Sequence, residues 1–205
     1  MKPAAKRIAN FVFLLLALPF ALLAGFGRLR PLFTVGAHLA ALGPGILGEY
    51  FRAAYARLTL AEWSLAARIS FGTFFAHRDA RVAPGVYIGS FCVLGKVTIG
   101  ERTQIASGVQ ILSGRRQHPR DAAGGLQGAE KGEFQRIEIG ADCWIGAGAI
   151  VMADVGNGST VGAGSVVTRP VPARTVAAGN PAKPITPAAA QDPRTGPEPP
   201  SAAHL

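Results

Sequence analysis

The sequence predicts a mainly β protein, a parallel β-solenoid with an N-terminal apolar helical segment, and three observations point there. From about residue 82 to 185, an aliphatic residue followed by a small one returns roughly every six positions. Glycine is abundant at 26 residues while charged residues make up only 16%, a balance that suits glycine-cornered coils better than a helical bundle. Ahead of this region, Lys2, Lys6 and Arg7 precede an apolar run from Phe11 to Phe26, and Arg28 and Arg30 follow it.

The first element, residues 1–50, is a basic and apolar membrane-associating helical segment. At 1.5 Å per residue the run 11–26 covers roughly 24 Å, short of the ~30 Å hydrocarbon core of a bilayer. Three readings stay open: a signal peptide, although small-x-small spacing is poor around Ala24; a thin or tilted transmembrane helix; and an in-plane or re-entrant helix aided by the apolar stretch 31–47. Residues 51–68 are expected to hold a linker helix, begun by Gly43-Pro44-Gly45, and the start of the coil. Imperfect repeats around Ile69, Phe71, Phe74 and Phe75 suit a solenoid cap.

The regular coils, within 69–185, place Val82, Ile88, Leu94, Ile99, Ile105 and Ile111, then Ile139, Ile145, Val151, Val155, Val161 and Val167, on the inside. The following small residue lets the chain turn a corner, and stacked coils about 4.8 Å apart complete one another's backbone hydrogen bonds. The steps Leu94 to Ile99 and Val151 to Val155 are short, so two corners must be tightened. Cys92 and Cys143 fall at a small inward position and read as core residues, with no disulfide framework implied. Between Ile111 and Ile137 the rhythm stops, and the polar segment 113–136 reads as an extruded loop, where function concentrates. The Pro/Ala-rich tail 186–205 has no hydrophobic pattern and reads as disordered.

The motifs Ile137-Glu-Ile-Gly-Ala-Asp-Cys-Trp-Ile-Gly-Ala-Gly, Val161-Gly-Ala-Gly-Ser-Val-Val-Thr and Ala178-Gly-Asn-Pro-Ala-Lys, with the pair His118-Pro119 in the loop, carry a resemblance. Residues 82–185 resemble the hexapeptide-repeat acyltransferases, of the sugar O-acetyltransferase type, nearest the colanic-acid/exopolysaccharide and maltose/galactoside branches. The resemblance implies a left-handed parallel β-helix, a homotrimer with clefts between neighbours, and acetyl-CoA as acyl donor without a metal.

It also implies site residues. The family's catalytic histidine sits in a loop before a proline, and of His38, His77, His118 and His204 only His118 does so. Imidazole suits the role: a neutral alcohol is a poor nucleophile, and histidine can take its proton and return it to the leaving thiolate. The cofactor groove would be formed by Gly146, Ala147, Ala163, Gly164 and Thr168, with Asn180 and Pro181 shaping the terminal turn. Trp144 either lines the pantetheine channel or packs at a subunit interface. Arg169 and Lys183 either face the anionic end of acetyl-CoA or are solvated surface charges. Asp121 either orients His118 or pairs with Arg120. One departure stands out: the early-coil asparagines of galactoside-type enzymes have no counterpart in the stretch 87–92, so acceptor contacts do not carry over.

The formal net charge of +9 fits contact with anionic headgroups. A nucleic-acid partner is not indicated, because helix-turn-helix, aromatic-basic platform and zinc-finger patterns are missing. The expected function is an acetyl-CoA-dependent O-acetyltransferase acting on a sugar or lipid-linked glycan, at the cytoplasmic side of the inner membrane or in the cytoplasm. Two alternatives are an acyltransferase for serine, an amino sugar or a xenobiotic, and a zinc hydratase or non-catalytic scaffold. A hydratase would require three converging histidines, which His77 and His118 do not supply by spacing.

Overall fold

The computed structural model of the chain describes residues 3–114, 118–128 and 131–185. The tail 186–205, with His204, and loop residues Arg115 and Arg116 lie outside the described residues.

Three helices come first: α1 (Pro3–Leu23), α2 (Arg30–Ala41) and α3 (Gly45–Thr59). The remainder winds into a left-handed three-faced solenoid of very short strands. The first face stacks Glu62–Trp63, Arg81–Val82, Val97–Ile99 and Ile137–Ile139, and single bridges continue it through Val155 and Val171. The second stacks Arg68–Ile69, Tyr87–Ile88, Gln104–Ile105, Trp144–Ile145, Thr160–Val161 and Val176–Ala178; the third stacks Phe74–Phe75, Val93–Leu94, Gln110–Ile111, Ile150–Val151 and Val166–Val167. All these pairings are parallel; a last strand, Lys183–Ile185, folds back antiparallel onto Val176–Ala178.

Each parallel strand turns at least one apolar side chain inward, so stacking produces three buried columns, for example Ile69, Ile88, Ile105, Ile145, Val161 and Ala177 on the second face. Two short coils are sealed by side chains. The buried Ser113 hydroxyl accepts from the Lys96 N–H at 2.8 Å, and the Asp154 carboxylate accepts from the Glu138 N–H at 2.8 Å. Inward hydroxyls tie successive coils: Thr103 donates to the Gly140 carbonyl and accepts from the Cys143 N–H, as Thr73 does with Gly89 and Cys92. Both cysteines are buried, and burial pushes the Cys92 thiol up in pKa.

The coil starts at Glu62–Trp63, which pairs with Arg81–Val82, inside the stretch 51–68 expected to hold its start. Helix α3 runs through the division drawn at residues 50 and 51.

The helices form a collar over the start of the solenoid. Arg52 of α3 is almost fully buried; its Nε donates to the Ile69 carbonyl at 3.2 Å and a terminal nitrogen donates to the Gly43 carbonyl at 2.5 Å. This ties the α2–α3 turn to the second face. Helix α1 lies along α3, with Phe13 stacked on Tyr50 and Phe20 edge-on to Phe51, both at 5.5 Å, and with Ala17, Ala21 and Ala24 wholly buried. Ala4–Leu23 has the length and composition of a membrane-crossing helix. On the outside, Phe11, Leu15, Leu16 and Leu23 of α1, Leu32 and Leu39 of α2, and Ile46 and Leu47 of α3 are exposed.

Candidate active site

The interrupted rhythm places His118. The segment leaves the third face after Gln110–Ile111 and rejoins the first at Ile137–Ile139, so it springs from the edge between those faces. Its roots are fixed there. The Gln135 N–H donates to the Ser113 carbonyl at 3.0 Å, and the Phe134 ring contacts His77 at 4.9 Å between centroids.

Farther out the loop folds on itself. Arg120 and Leu126 form an antiparallel bridge, and the Asp121 carboxylate accepts from the Ala123 and Gly125 N–H groups at 3.0 and 2.8 Å. Asp121 therefore builds the turn at 121–125; its bonds are to this turn rather than to His118 or Arg120. The Arg120 guanidinium donates to the Gly124 carbonyl at 2.7 Å.

This small hairpin brings Gln127 beside His118. Its N–H donates to the Pro119 carbonyl at 2.8 Å, and its own carbonyl lies 3.3 Å from His118 Nδ1. A carbonyl oxygen only accepts, so this bond requires the proton on Nδ1 and leaves the Nε2 lone pair for chemistry. The side chain is exposed among the described residues. Gln127 has no signature in sequence spacing; only the hairpin reveals it.

A second feature lies on the edge between the second and third faces. Coil after coil, a small residue and a positive-φ glycine turn this corner: Ser107 and Gly108, Ala147 and Gly148, Ala163 and Gly164. A side chain at Gly148 or Gly164 would meet only open space, whereas one at Gly146 would run into the Ala163 backbone. The outcome is a bare strip along the solenoid axis. Trp144 borders it, 58% exposed on the second face beside Gln104 and Thr160. Lys183 stands above it, paired in the terminal hairpin with Ala178, whose Cβ faces Gly162.

Trp144, Gly146, Ala147, Ala163, Gly164 and Lys183 thus share one edge and its adjoining face. Thr168 and Arg169 do not; they follow the last strand of the third face and lie on the same edge as the roots of the His118 loop. Thr168 lines a recess there with Gln135, Arg136, Met152 and Asp154. Arg169 and Lys183 are exposed and make no ion pair among the described residues. No three His, Cys, Asp or Glu side chains gather into a metal-holding group among the described residues.

The bacterial transferase hexapeptide (six repeats) family matches residues 136–169. Over 101 residues the chain is 40% identical to an inferred acetyltransferase of Schizosaccharomyces pombe, covering 48% of this chain and 47% of that one. It is 36% identical over 119 residues to serine acetyltransferase 2 of Arabidopsis thaliana, covering 57% and 33%. The chain thus spans about half the length of the first of these relatives. Among solved structures, a maltose O-acetyltransferase from Clostridium difficile 630 is similar in fold, with a TM-score of 0.50 at 24% identity over 80% of this chain and 87% of that one.

Proposed function

We propose, from the match of residues 136–169 to the bacterial transferase hexapeptide family, that the chain transfers an acetyl group from acetyl-CoA to a hydroxyl of a sugar or lipid-linked glycan at a membrane surface. The observation that carries this reading is His118, held at Nδ1 by the Gln127 carbonyl with Nε2 presented outward. Nε2 accepts the acceptor's hydroxyl proton as its oxygen attacks the thioester carbonyl. The tetrahedral intermediate collapses with departure of the thiolate, which takes the proton back from the imidazolium. Backbone N–H groups at glycine corners are the natural donors to the oxyanion. Transfer is direct, because Cys92 and Cys143 are buried, with their sulfurs against the Ala106 and Gly156 carbonyls at 3.2 and 3.1 Å.

The bare strip fits the thin pantetheine arm of acetyl-CoA, with Trp144 beside it and Lys183 toward the anionic end. His118 stands on a different edge of the same solenoid. A complete site then needs a neighbouring copy, so that the strip of one protomer faces the loop of the next, as in a homotrimer. Thr168 and Arg169 act from the loop-bearing edge in this arrangement.

The collar supports a membrane-borne acceptor. Contacts from Phe13 to Ala24 hold α1 against α3, which is itself tied to the second face through Arg52. A helix held in this way cannot cross a bilayer without drawing solenoid strands into it, where unsatisfied backbone groups are costly. The in-plane reading is favoured, with the exposed leucines and phenylalanines sunk into the cytoplasmic leaflet, where acetyl-CoA is available. A second reading, transfer to a soluble amino acid or amino sugar, is favoured by the likeness to serine acetyltransferase 2.

The test is thiol release from acetyl-CoA by detergent-purified protein, with membrane glycolipid extract or small soluble acceptors. The expected result is extract-dependent release that falls at least about 100-fold in His118→Ala. Turnover with serine or an amino sugar alone selects the second reading; thiol release from acetyl-CoA unaffected by His118→Ala removes the first mechanism.

A further inference from the structure

A separate recess lies where the collar meets the solenoid. It is lined by Gly27, Arg28, Arg30, Phe33, Ala76, His77, Arg78 and Asp79 and encloses about 520 Å³, part of it open to solvent. Three guanidinium groups border it, and one is incompletely satisfied: Arg78 Nε is buried without a hydrogen-bond partner. The only carboxylate on the wall, Asp79, is engaged elsewhere by Lys96 at 3.9 Å, while the Asp79 carbonyl accepts from Arg136. Helix α2 begins at this wall with Arg30, and no side chain caps it, so its positive end adds to the same field. The state of His77 agrees: burial first, then Arg30, holds its pKa below the ordinary histidine value, with Lys96 adding to the effect and Asp79 opposing it.

Two neighbours give the recess its direction. On one side, Phe26 and Leu29 are exposed and continue into the apolar outer surface of α1 and α2. On the other, His77 touches Phe134 and Asp79 holds Arg136, both at the returning root of the His118 loop. We infer that this recess binds the phosphate or pyrophosphate of a membrane-borne acceptor, with Arg30 and Arg78 as its principal cations, the lipid chain running along the collar and the glycan toward the catalytic loop. The inference rests on the membrane-acceptor reading above and adds the headgroup chemistry to it. Arginine suits this role because its planar fork donates two parallel hydrogen bonds to phosphate oxygens.

The test is vesicle co-sedimentation of the full chain without acetyl-CoA. One set of phosphatidylcholine vesicles carries a polyisoprenyl phosphate, and the other carries the same anionic charge as phosphatidylglycerol. The expected result is tighter binding to the first set. Arg30→Gln and Arg78→Gln each weaken it by about fivefold, the equivalent of about 1 kcal/mol per basic residue. Arg174→Gln, an exposed cation on the far coils, leaves it unchanged. Equal binding to both vesicle sets overturns the site, as does a loss shared by Arg174→Gln. Stronger competition by a soluble nucleoside diphosphate sugar than by inorganic pyrophosphate overturns the lipid source and moves the phosphate onto a soluble acceptor. Because Arg30 is exposed, its variant tests the site even if Arg78→Gln is poorly folded. Acetyl-CoA plays no part in the readout, so a protein that passes the His118 test and fails this one keeps its activity and loses only the headgroup site.

Discussion

The collar and the solenoid handle apolar side chains in opposite ways. In the solenoid, Ile88, Leu94, Ile105 and Ile145 are wholly buried within the chain's own coils, while the collar leaves Phe11, Leu15, Leu16 and Leu39 exposed. The solenoid covers its repeating inward columns itself and exposes only scattered apolar residues such as Phe91 and Trp144, while the collar has an apolar excess that the described residues do not cover. One region turns its apolar side chains onto its own coils, and the other leaves them on the outside of its helices.

Variants on each side can break that contrast. The largest effect belongs to the interior: Ile145→Ala is expected to cost about 2–5 kcal/mol, read as a lower denaturation midpoint, because the coils above and below cannot close a gap between fixed ladders. A cost below that of a surface control would mean the stack is loosely packed. Next, Leu15→Gln combined with Leu16→Gln is expected to leave the midpoint almost unchanged while reducing binding to anionic vesicles by about tenfold or more, since each buried leucine contributes about 1.5–3 kcal/mol. An unaltered affinity would show that another surface faces the membrane.

His77, at the join between the regions, should give a smaller, pH-dependent effect. Its folded pKa is lowered by burial and Arg30, so the neutral form is favoured by folding. That contribution is fully present above the unfolded value near 6.5 and is lost as pH falls through that value toward the lower folded one. His77→Gln should therefore flatten the decline of the denaturation midpoint on acidification; an unchanged slope would assign that decline to other groups. The smallest effect is expected at Arg102, which bridges Glu101 and Asp142 on the outside of adjacent coils. Exposed pairs contribute little, so Arg102→Ala should move the midpoint no more than Arg174→Ala does.

The two regions were also unequally legible. The columns through Ile88, Ile105 and Ile145 could be read directly, because a parallel ladder repeats the same inward position in every coil. The start at Trp63, inside the stretch 51–68 expected to hold it, was less plain because Trp63 and Phe75 put aromatic rings where later coils carry aliphatic residues. Hydropathy gave the extent of the apolar helix but not its partner, since packing on α3 depends on which face carries Ala17, Ala21 and Ala24. His118 became a candidate through the family resemblance and its following proline, whereas its contact with Gln127 and the diversion of Asp121 into the 121–125 turn depend on side-chain direction within a hairpin. The grouping of Thr168 with the loop edge, away from Gly164, required knowing where each corner falls around the prism.

The antiparallel strand Lys183–Ile185 has a consequence for how these molecules share a solution. A parallel stack ends in a row of unmet N–H and C=O groups, which invites another chain to continue it. Here the reversed strand occupies that position on the second face, with Pro184 opposite Ala177, and proline offers no N–H to a newcomer. At the opposite end, α3 and the Arg52 bond to Ile69 close the same face. Growth by end-to-end addition is thereby obstructed on the face that carries Trp144.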